Sequence, residues 1–173
     1  MSSYQVRFAT ILDAAAIAEV ELGALRRAMP GLLEDQASVL DKRLAFWREA
    51  IAFGEPQVQV AQAAGDDSAA VVGFVGFDRS RDKGTPPTAG EIWALFVAPA
   101  QWDHGVGLAL WDAAREGLVE EGCTQVTAWL PLANVRTLRF FELAGFKREL
   151  SSARVAPVAG VKLEEIRLKR RLA

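Results

Sequence analysis

The chain has 173 residues, of which 51% are hydrophobic and 24% are charged, and its formal net charge is −2. This length suits one domain with a sizeable core, and the charge gives no electrostatic reason to expect nucleic acid or an anionic membrane as a partner. One cysteine and one histidine exclude an intramolecular disulfide, a thiolate cluster and a multi-histidine zinc site. We therefore expect a single domain over residues 1–173 without a metal.

The cellular location is predicted from the same sequence. The first ten residues, MSSYQVRFAT, lack the apolar core of a signal peptide. No stretch approaches the roughly 20 apolar residues that a membrane-spanning helix needs. A cytoplasmic protein is the expectation.

The first half of the chain predicts an opening strand, two helices and an antiparallel hairpin. Asp13 is the candidate N-cap of the first helix, and Pro30-Gly31 ends it. The predicted elements are a strand at 4–10, a helix before residue 30, a second helix around 40–51, and strands at 57–62 and 70–77. The spacing of the hydrophobic residues changes from helical in the second helix to alternating in the hairpin. This change predicts that the chain passes from helix to strand.

The second half alternates strands and helices. Residues 78–90, DRSRDKGTPPTAG, are charged and rich in proline and glycine, so they predict a loop. The predicted elements are a strand at 91–99, a helix at 107–121, a strand at 124–131, a helix at 135–144, and strands at about 146–155 and 161–170. The order predicts an α/β fold with a mixed, mostly antiparallel sheet of six to seven strands and about four helices.

The stretch VAPAQWDHGVGLALW, residues 97–111, places Gly105 and Gly107 between a strand and a helix. The first N–H groups of a helix lack internal partners and attract anions, and glycine lets a phosphate approach them closely. The P-loop is excluded because Gly107 is followed by Leu108, and the dinucleotide fingerprint lacks its third glycine at Leu110. The pyrophosphate of coenzyme A and a plain tight turn remain as alternatives.

Together with a second block, NVRTLRFFELAGF at 134–146, this loop resembles the GNAT superfamily of N-acetyltransferases. That family has a V-x-P strand end, then Gln/Arg-x-x-Gly-x-Gly/Ala, and about thirty residues later Asn-x-x-Ala, Phe-Tyr and Gly-Phe. The matching residues are Val97, Pro99, Gly105, Gly107, Asn134, Phe140, Gly145 and Phe146. Two residues depart from the pattern: Trp102 replaces the frequent Gln or Arg, and Phe141 replaces the frequent tyrosine.

The resemblance implies a sheet that splays between strands 91–98 and 124–131, with acetyl-CoA as co-substrate in the gap. Backbone groups of residues 95–97 would pair with the pantetheine arm, and N–H groups of residues 104–108 would hold the pyrophosphate. Asn134 would contact the arm, cap the following helix, or do both. The implied cofactor-binding residues are Leu95, Phe96, Val97, Asp103, His104, Gly105, Val106, Gly107, Leu108, Asn134 and Phe141.

The implied reaction is direct attack of a primary amine on the thioester, without a covalent enzyme intermediate. Glu91 is the candidate general base, and its alternative interpretation is an exposed glutamate at a strand start. The backbone N–H of Phe96 is the candidate donor to the thioester oxygen. Phe141 cannot act as the acid that a tyrosine would supply. Cys123 is expected to be a buried, inert thiol.

The resemblance places the acceptor cleft between the first two helices, their connection at about 26–38, and the last hairpin, with Trp93 on its floor. Apolar and acidic residues in that connection would suit a cationic small-molecule or peptide amine; they are Met29, Pro30, Leu32, Leu33, Glu34 and Asp35. Two rival functions remain: a non-catalytic acyl-CoA-binding module, and a nucleotide-dependent oxidoreductase that would bind NAD. A homodimer, common for this fold, is left open.

Overall fold

Seven strands and four α-helices make up the computed structural model, which describes residues 3–31, 33, 37–66 and 68–172. The strands are β1 (Tyr4–Phe8), β2 (Gln57–Ala63), β3 (Gly73–Arg79), β4 (Ala89–Val97), β5 (Gln125–Pro131), β6 (Lys147–Val158) and β7 (Val161–Arg171). The helices are α1 (Ala14–Ala28), α2 (Ala37–Phe53), α3 (Val106–Glu120) and α4 (Val135–Leu143). The predicted element order is confirmed, and within these ranges no helix is both long and apolar enough to cross a membrane.

All seven strands form one sheet in the order β1-β2-β3-β4-β5-β7-β6. Every neighbouring pair is antiparallel except β4 and β5, which run parallel. These two strands pair only along Ala89–Glu91 and Gln125–Thr127. The ladder between β3 and β4 skips Trp93, so a β-bulge bends β4 just where it leaves β5. The expected mixed sheet and its splay are confirmed.

The helices cover the two faces of the sheet. Successive side chains of a strand point to opposite faces, so Phe74 and Val75 of β3 enter different cores. Phe74 packs with α1 and α2, where the edge of Trp47 meets it at 5.1 Å between ring centroids. Val75 packs with α3 and α4 on the other face. The gap between β4 and β5 therefore opens between two firmly packed layers.

The predicted capping role of Asp13 is corrected by the structure. Asp13 precedes α1, but its carboxylate caps no N–H of that helix. It accepts hydrogen bonds from the backbone N–H of Thr10 at 2.8 Å and from the guanidinium of Arg7 at 2.9 and 3.0 Å. The first strand ends at Phe8, and a short 3₁₀ turn that Asp13 closes links it to α1. The Arg7 guanidinium lowers the pKa of this carboxyl below its ordinary value.

Candidate active site

Two cavities open on the gap between β4 and β5. The first, the loop cavity, has a volume of about 880 Å³ and is walled by the end of β4, the segment before α3 and the start of α4. The second, the arginine cavity, has about 250 Å³ and is walled by α1, α2, β4, β5 and the β6–β7 hairpin. Leu95, Phe96, Asn134 and Thr137 line both. The cavities therefore meet at the splay.

The segment before α3 presents a run of backbone N–H groups. Gly105 has a φ of +84° and a ψ of +2°, the left-handed conformation that glycine adopts without a steric penalty. The first bond of the helix joins the N–H of Ala109 to the oxygen of Gly105 at 3.1 Å. Across the described part of the chain, the N–H groups of residues 103–108 have no acceptor. This end of α3 is an anion-binding arrangement.

Glycine is required at position 107 for a different reason from that at position 105. A Cβ on Gly107 would lie 3.0 Å from Cε1 of Phe140 in α4. Its bare backbone lets α4 approach the start of α3 and form the far wall of the loop cavity. Gly105, by contrast, has no atom within 4 Å of a Cβ position, so its backbone conformation alone requires glycine.

Trp102, the departure from the family pattern, is part of the cavity wall. Its Nε1–H donates to the carbonyl of Val97 at 2.8 Å, and the guanidinium of Arg136 lies 4.0 Å from a ring centroid. Arg136 also donates to the carboxylate of Asp103 at 2.9 Å, which balances a negative charge close to the N–H run. His104 is exposed and does not line either cavity.

The backbone of β4 faces the gap at alternate residues. The N–H of Ala98 donates to the carbonyl of Val72 at 2.8 Å, so in an antiparallel ladder the groups of Phe96 also face β3. The N–H and C=O groups of Leu95 and Val97 point the other way, toward β5. Since Trp102 already donates to the carbonyl of Val97, three backbone groups remain: both groups of Leu95 and the N–H of Val97.

Asn134 and Phe141 lie where α4 meets the gap. The Oδ1 atom of Asn134 accepts from the N–H of Thr137 at 3.2 Å, so the predicted capping role is confirmed. Its Nδ2 group donates to no acceptor among the described residues and stays available to a ligand. Phe141 is 1% exposed, packs edge-on against Phe140 and Phe146, and lines the arginine cavity.

Glu91 is 1% exposed, so its interpretation as an exposed strand-start residue is wrong. Its Oε1 accepts from the backbone N–H of Arg81 at 3.0 Å, and its Oε2 accepts from Nε of Arg81 at 3.2 Å and from Nη2. Arg81, rather than Glu91, lines the arginine cavity. The carboxylate lies behind a guanidinium that separates it from the cavity.

Three arginines of the second cavity share one arrangement that the sequence gave no reason to expect. Each guanidinium is paired with a carboxylate that is at most 8% exposed. The same guanidinium lies over an aromatic ring. The sets are Arg43 with Glu21 and Phe46, Arg81 with Glu91 and Trp93, and Arg154 with Glu165 and Trp129. They come from α1, α2, the β3–β4 loop, β4, β5 and the last hairpin. No local motif joins these segments.

The predicted acceptor cleft is only partly matched by this cavity. The first two helices, the last hairpin and Trp93 do line it, as expected. Met29, Pro30 and Leu33 do not, and Leu32, Glu34 and Asp35 lie outside the described residues. The acids that do line the cavity are Glu21 and Glu165, and each is bound to an arginine.

The remaining candidate groups lie away from the two cavities. Cys123 is buried, and burial raises the pKa of its thiol, which favours the unreactive form. The hydroxyl of Tyr4 donates to Oε1 of Gln101 at 2.9 Å. Among the described residues, no group of three His, Cys, Asp or Glu side chains could hold a metal ion.

Comparisons with known proteins agree with this geometry. The model of the acetyltransferase (GNAT) family matches residues 26–146. Mycothiol acetyltransferase of Kocuria rhizophila is 29% identical over 101 residues, which are 58% of this chain and 33% of that protein. The match thus spans about a third of the curated relative's length.

Solved structures show the same fold. The acetyltransferase yncA of Salmonella typhimurium, solved with its cofactor acetyl-CoA, superposes with a TM-score of 0.72 at 24% identity, over 99% of this chain and 95% of that one. The ribosomal-protein-S18-alanine N-acetyltransferase of Escherichia coli gives 0.66 at 14% identity, over 98% and 94%. At such identities the likeness concerns the fold.

Proposed function

The chain belongs to the GNAT acetyltransferase family, and on that premise we propose that it transfers an acetyl group from acetyl-CoA to a primary amine. The observation that carries the proposal is the run of unpaired N–H groups at residues 103–108, beside the opening between β4 and β5. A run of unpaired donors at a helix start fits a phosphate group. The loop cavity, at about 880 Å³, has room for a cofactor arm.

We propose that the pyrophosphate of acetyl-CoA binds the N–H groups of residues 104–108, with Asp103 at the edge of that site. The pantetheine arm would lie along β4 and pair with Leu95 and with the N–H of Val97. Asn134 would donate its Nδ2–H to the same arm. The yncA structure with acetyl-CoA supports this placement through the shared fold.

The amine would attack from the arginine cavity, at the point that both cavities share. The donor to the thioester oxygen would be the N–H of Leu95, because that of Phe96 faces β3. This revises the donor expected from the sequence. Such a donor lowers the barrier by stabilising charge that develops on the oxygen during attack.

The attacking amine must lose a proton, since a lysine-like amine has a pKa of about 10. Glu91 stays the candidate base, acting through water. A carboxylate has about four acceptor positions, and Arg81 occupies three of those of Glu91. One position remains for a water molecule that receives the proton. Phe141 supplies no acid, so we propose that water protonates the departing thiolate.

A thiol-release assay with acetyl-CoA across a panel of amines tests this function, together with calorimetric titration of acetyl-CoA and NAD. The proposal expects binding of acetyl-CoA, no binding of NAD, and thiol release with at least one primary amine. Tight acetyl-CoA binding without thiol release for any amine would favour the non-catalytic module. The presence of Phe141 in place of the usual tyrosine is the observation that supports this alternative. Binding of NAD alone would contradict both.

A further inference from the structure

We propose that the acceptor is a small amine that also carries an anionic oxygen group, a carboxylate or a phosphonate, which Arg81 and Arg154 bind in the arginine cavity. This inference rests on the proposed acetyl transfer and adds the class of acceptor to it. It replaces the cationic acceptor that the sequence led us to expect.

The arginines of this cavity have hydrogen-bond donors that no protein group among the described residues uses. Arg154 donates its Nε–H to Glu165 at 3.0 Å, and within the described ranges its four Nη–H groups have no acceptor. Arg81 donates through Nε and Nη2 to Glu91, which leaves both hydrogens of Nη1. Guanidinium forks bind carboxylate and phosphonate oxygens with paired, charge-assisted hydrogen bonds.

The two guanidiniums are held in place by the protein itself. Arg154 lies 3.9 Å from a ring centroid of Trp129, and the Nε1–H of Trp129 donates to Asp82 at 3.0 Å. Asp82 is the neighbour of Arg81, which itself lies 4.0 Å from a ring centroid of Trp93. Trp129 thus ties the β3–β4 loop to the last hairpin. A preorganised site binds with a smaller loss of side-chain entropy.

The positive charges of these pairs are more exposed than the negative charges. The side chains of Arg81 and Arg154 are 47% and 40% exposed, whereas those of Glu91 and Glu165 are 1% and 8% exposed. The buried carboxylates balance the charge of the arginines from the protein side, and the guanidiniums form the surface that a ligand can reach. A purely cationic amine would meet like charge there, while an anionic group would meet unused donors.

The size of the cavity limits the acceptor to a small molecule. Its volume of about 250 Å³ lies just below the range of drug-sized ligand pockets, roughly 300–1,000 Å³. An amino acid or an aminophosphonate fits such a space with its amine toward Leu95 and its anionic group toward the arginines. These two sources share the same chemistry, so the experiment separates them.

The test compares matched acceptors in the thiol-release assay. Leucine and other α-amino acids are each measured beside the primary amide and the amine without a carboxylate, and aminophosphonates form a second arm. We expect kcat/KM for the best anionic acceptor to exceed that of its neutral counterpart by about 100-fold, since charge-assisted bonds are lost. The arm with the larger ratio of kcat/KM, anionic over neutral acceptor, shows whether the anionic group is a carboxylate or a phosphonate. Equal or better turnover of the amides overturns the inference and leaves acetyl transfer standing.

The double variant Arg154→Gln with Glu165→Gln removes the guanidinium without leaving a buried unpaired carboxylate. We expect its preference for anionic acceptors to fall at least tenfold while its affinity for acetyl-CoA stays unchanged. The matched control is Arg148→Gln with Glu142→Gln, another arginine–carboxylate pair, 3.0 Å apart and outside the loop cavity and the arginine cavity. It should keep the preference. An unchanged preference in the first double variant would contradict the assignment.

A binding measurement decides the inference even if no amine is acetylated. Calorimetry titrates N-acetyl-leucine and N-acetyl-leucinamide into the chain saturated with coenzyme A. The inference expects binding of the carboxylate and at least tenfold weaker binding of the amide, with the difference lost in the Arg154 double variant. Failure of every amine in the thiol assay would end the proposed function, whereas equal binding of acid and amide would end this inference.

Discussion

The two cavities at the splay present different chemical groups: one presents backbone N–H groups and the other presents side chains. The loop cavity presents backbone N–H groups of one continuous segment, residues 103–108, at the start of α3. The arginine cavity presents three arginines from both halves of the chain, and each is held by a buried carboxylate and an aromatic ring. The proposed phosphate site thus depends on backbone conformation alone, whereas the proposed acceptor site depends on long-range packing.

If the arginine cavity carries the chemistry, the largest effect comes from Glu91→Gln. We expect kcat to fall about 100-fold, because removal of a general base typically costs a factor of 10² to 10⁴. Glu165→Gln is the matched control, since Glu165 is also buried and bound to an arginine. That variant should mainly raise KM for the acceptor. A Glu91→Gln enzyme with kcat within threefold of the parent would exclude Glu91 as the base.

If the loop cavity depends on backbone conformation, Gly105→Ala should raise KM for acetyl-CoA about tenfold. A left-handed conformation costs an ordinary residue roughly 1–2 kcal/mol, so the N–H run would be displaced. Gly122→Ala is the control at the other end of α3, where φ is +85° and a Cβ would also meet nothing within 4 Å. Both variants should lose similar stability in urea. An equal KM in the two would show that the loop's conformation does not serve cofactor binding.

Phe141 lies in the wall of the arginine cavity, and its replacement probes the missing acid. We expect Phe141→Tyr to raise kcat several-fold, because a phenol there could protonate the departing thiolate. The unfolding midpoint is measured alongside, since Phe141 is 1% exposed and the hydroxyl needs space. A variant of unchanged stability and unchanged kcat would mean that thiolate protonation does not limit the rate.

Asp13 lies outside both cavities and should affect stability alone. Asp13→Asn should lower the free energy of unfolding at pH 7 by about 1 kcal/mol, since it weakens a largely buried pair with Arg7. The pKa of Asp13 is lowered in the folded state, so this stabilisation is present above the ordinary carboxyl pKa of 3.8 and is lost as the pH falls below it. Urea titrations at pH 7 and pH 3 measure the difference. A constant difference across that range would contradict the assigned pair.

The strands and helices could be predicted because alternation and helical spacing are local patterns. The splay and the role of the glycine loop were predicted from the resemblance to the GNAT superfamily, since the loop's residues alone also allowed a plain tight turn. Asn134 was recognised as a cap from its position before a helix. Asp13 was misassigned because its real partner, Arg7, belongs to the preceding strand, and residue spacing alone does not show which donor a carboxylate chooses.

The arginine cavity could not be predicted in the same way. Arg154 and Glu165 are far from Arg81 and Glu91 in the chain, and only the sheet brings them to one wall. The alternative interpretation of Glu91 as an exposed strand end was wrong because Arg81 covers it, and the charged loop that holds Arg81 was predicted without its contacts. The direction of the Phe96 backbone depends on its pairing with Phe74, which follows from the register and not from composition.

The most direct test of the central claim is a crystal structure of the chain with acetyl-CoA. We expect pyrophosphate oxygens at about 2.7–3.2 Å from backbone nitrogens of residues 104–108, with the thioester beside Leu95. A diphosphate bound elsewhere, for example by the side chains of Arg136 and Arg139 with those nitrogens unoccupied, would contradict it.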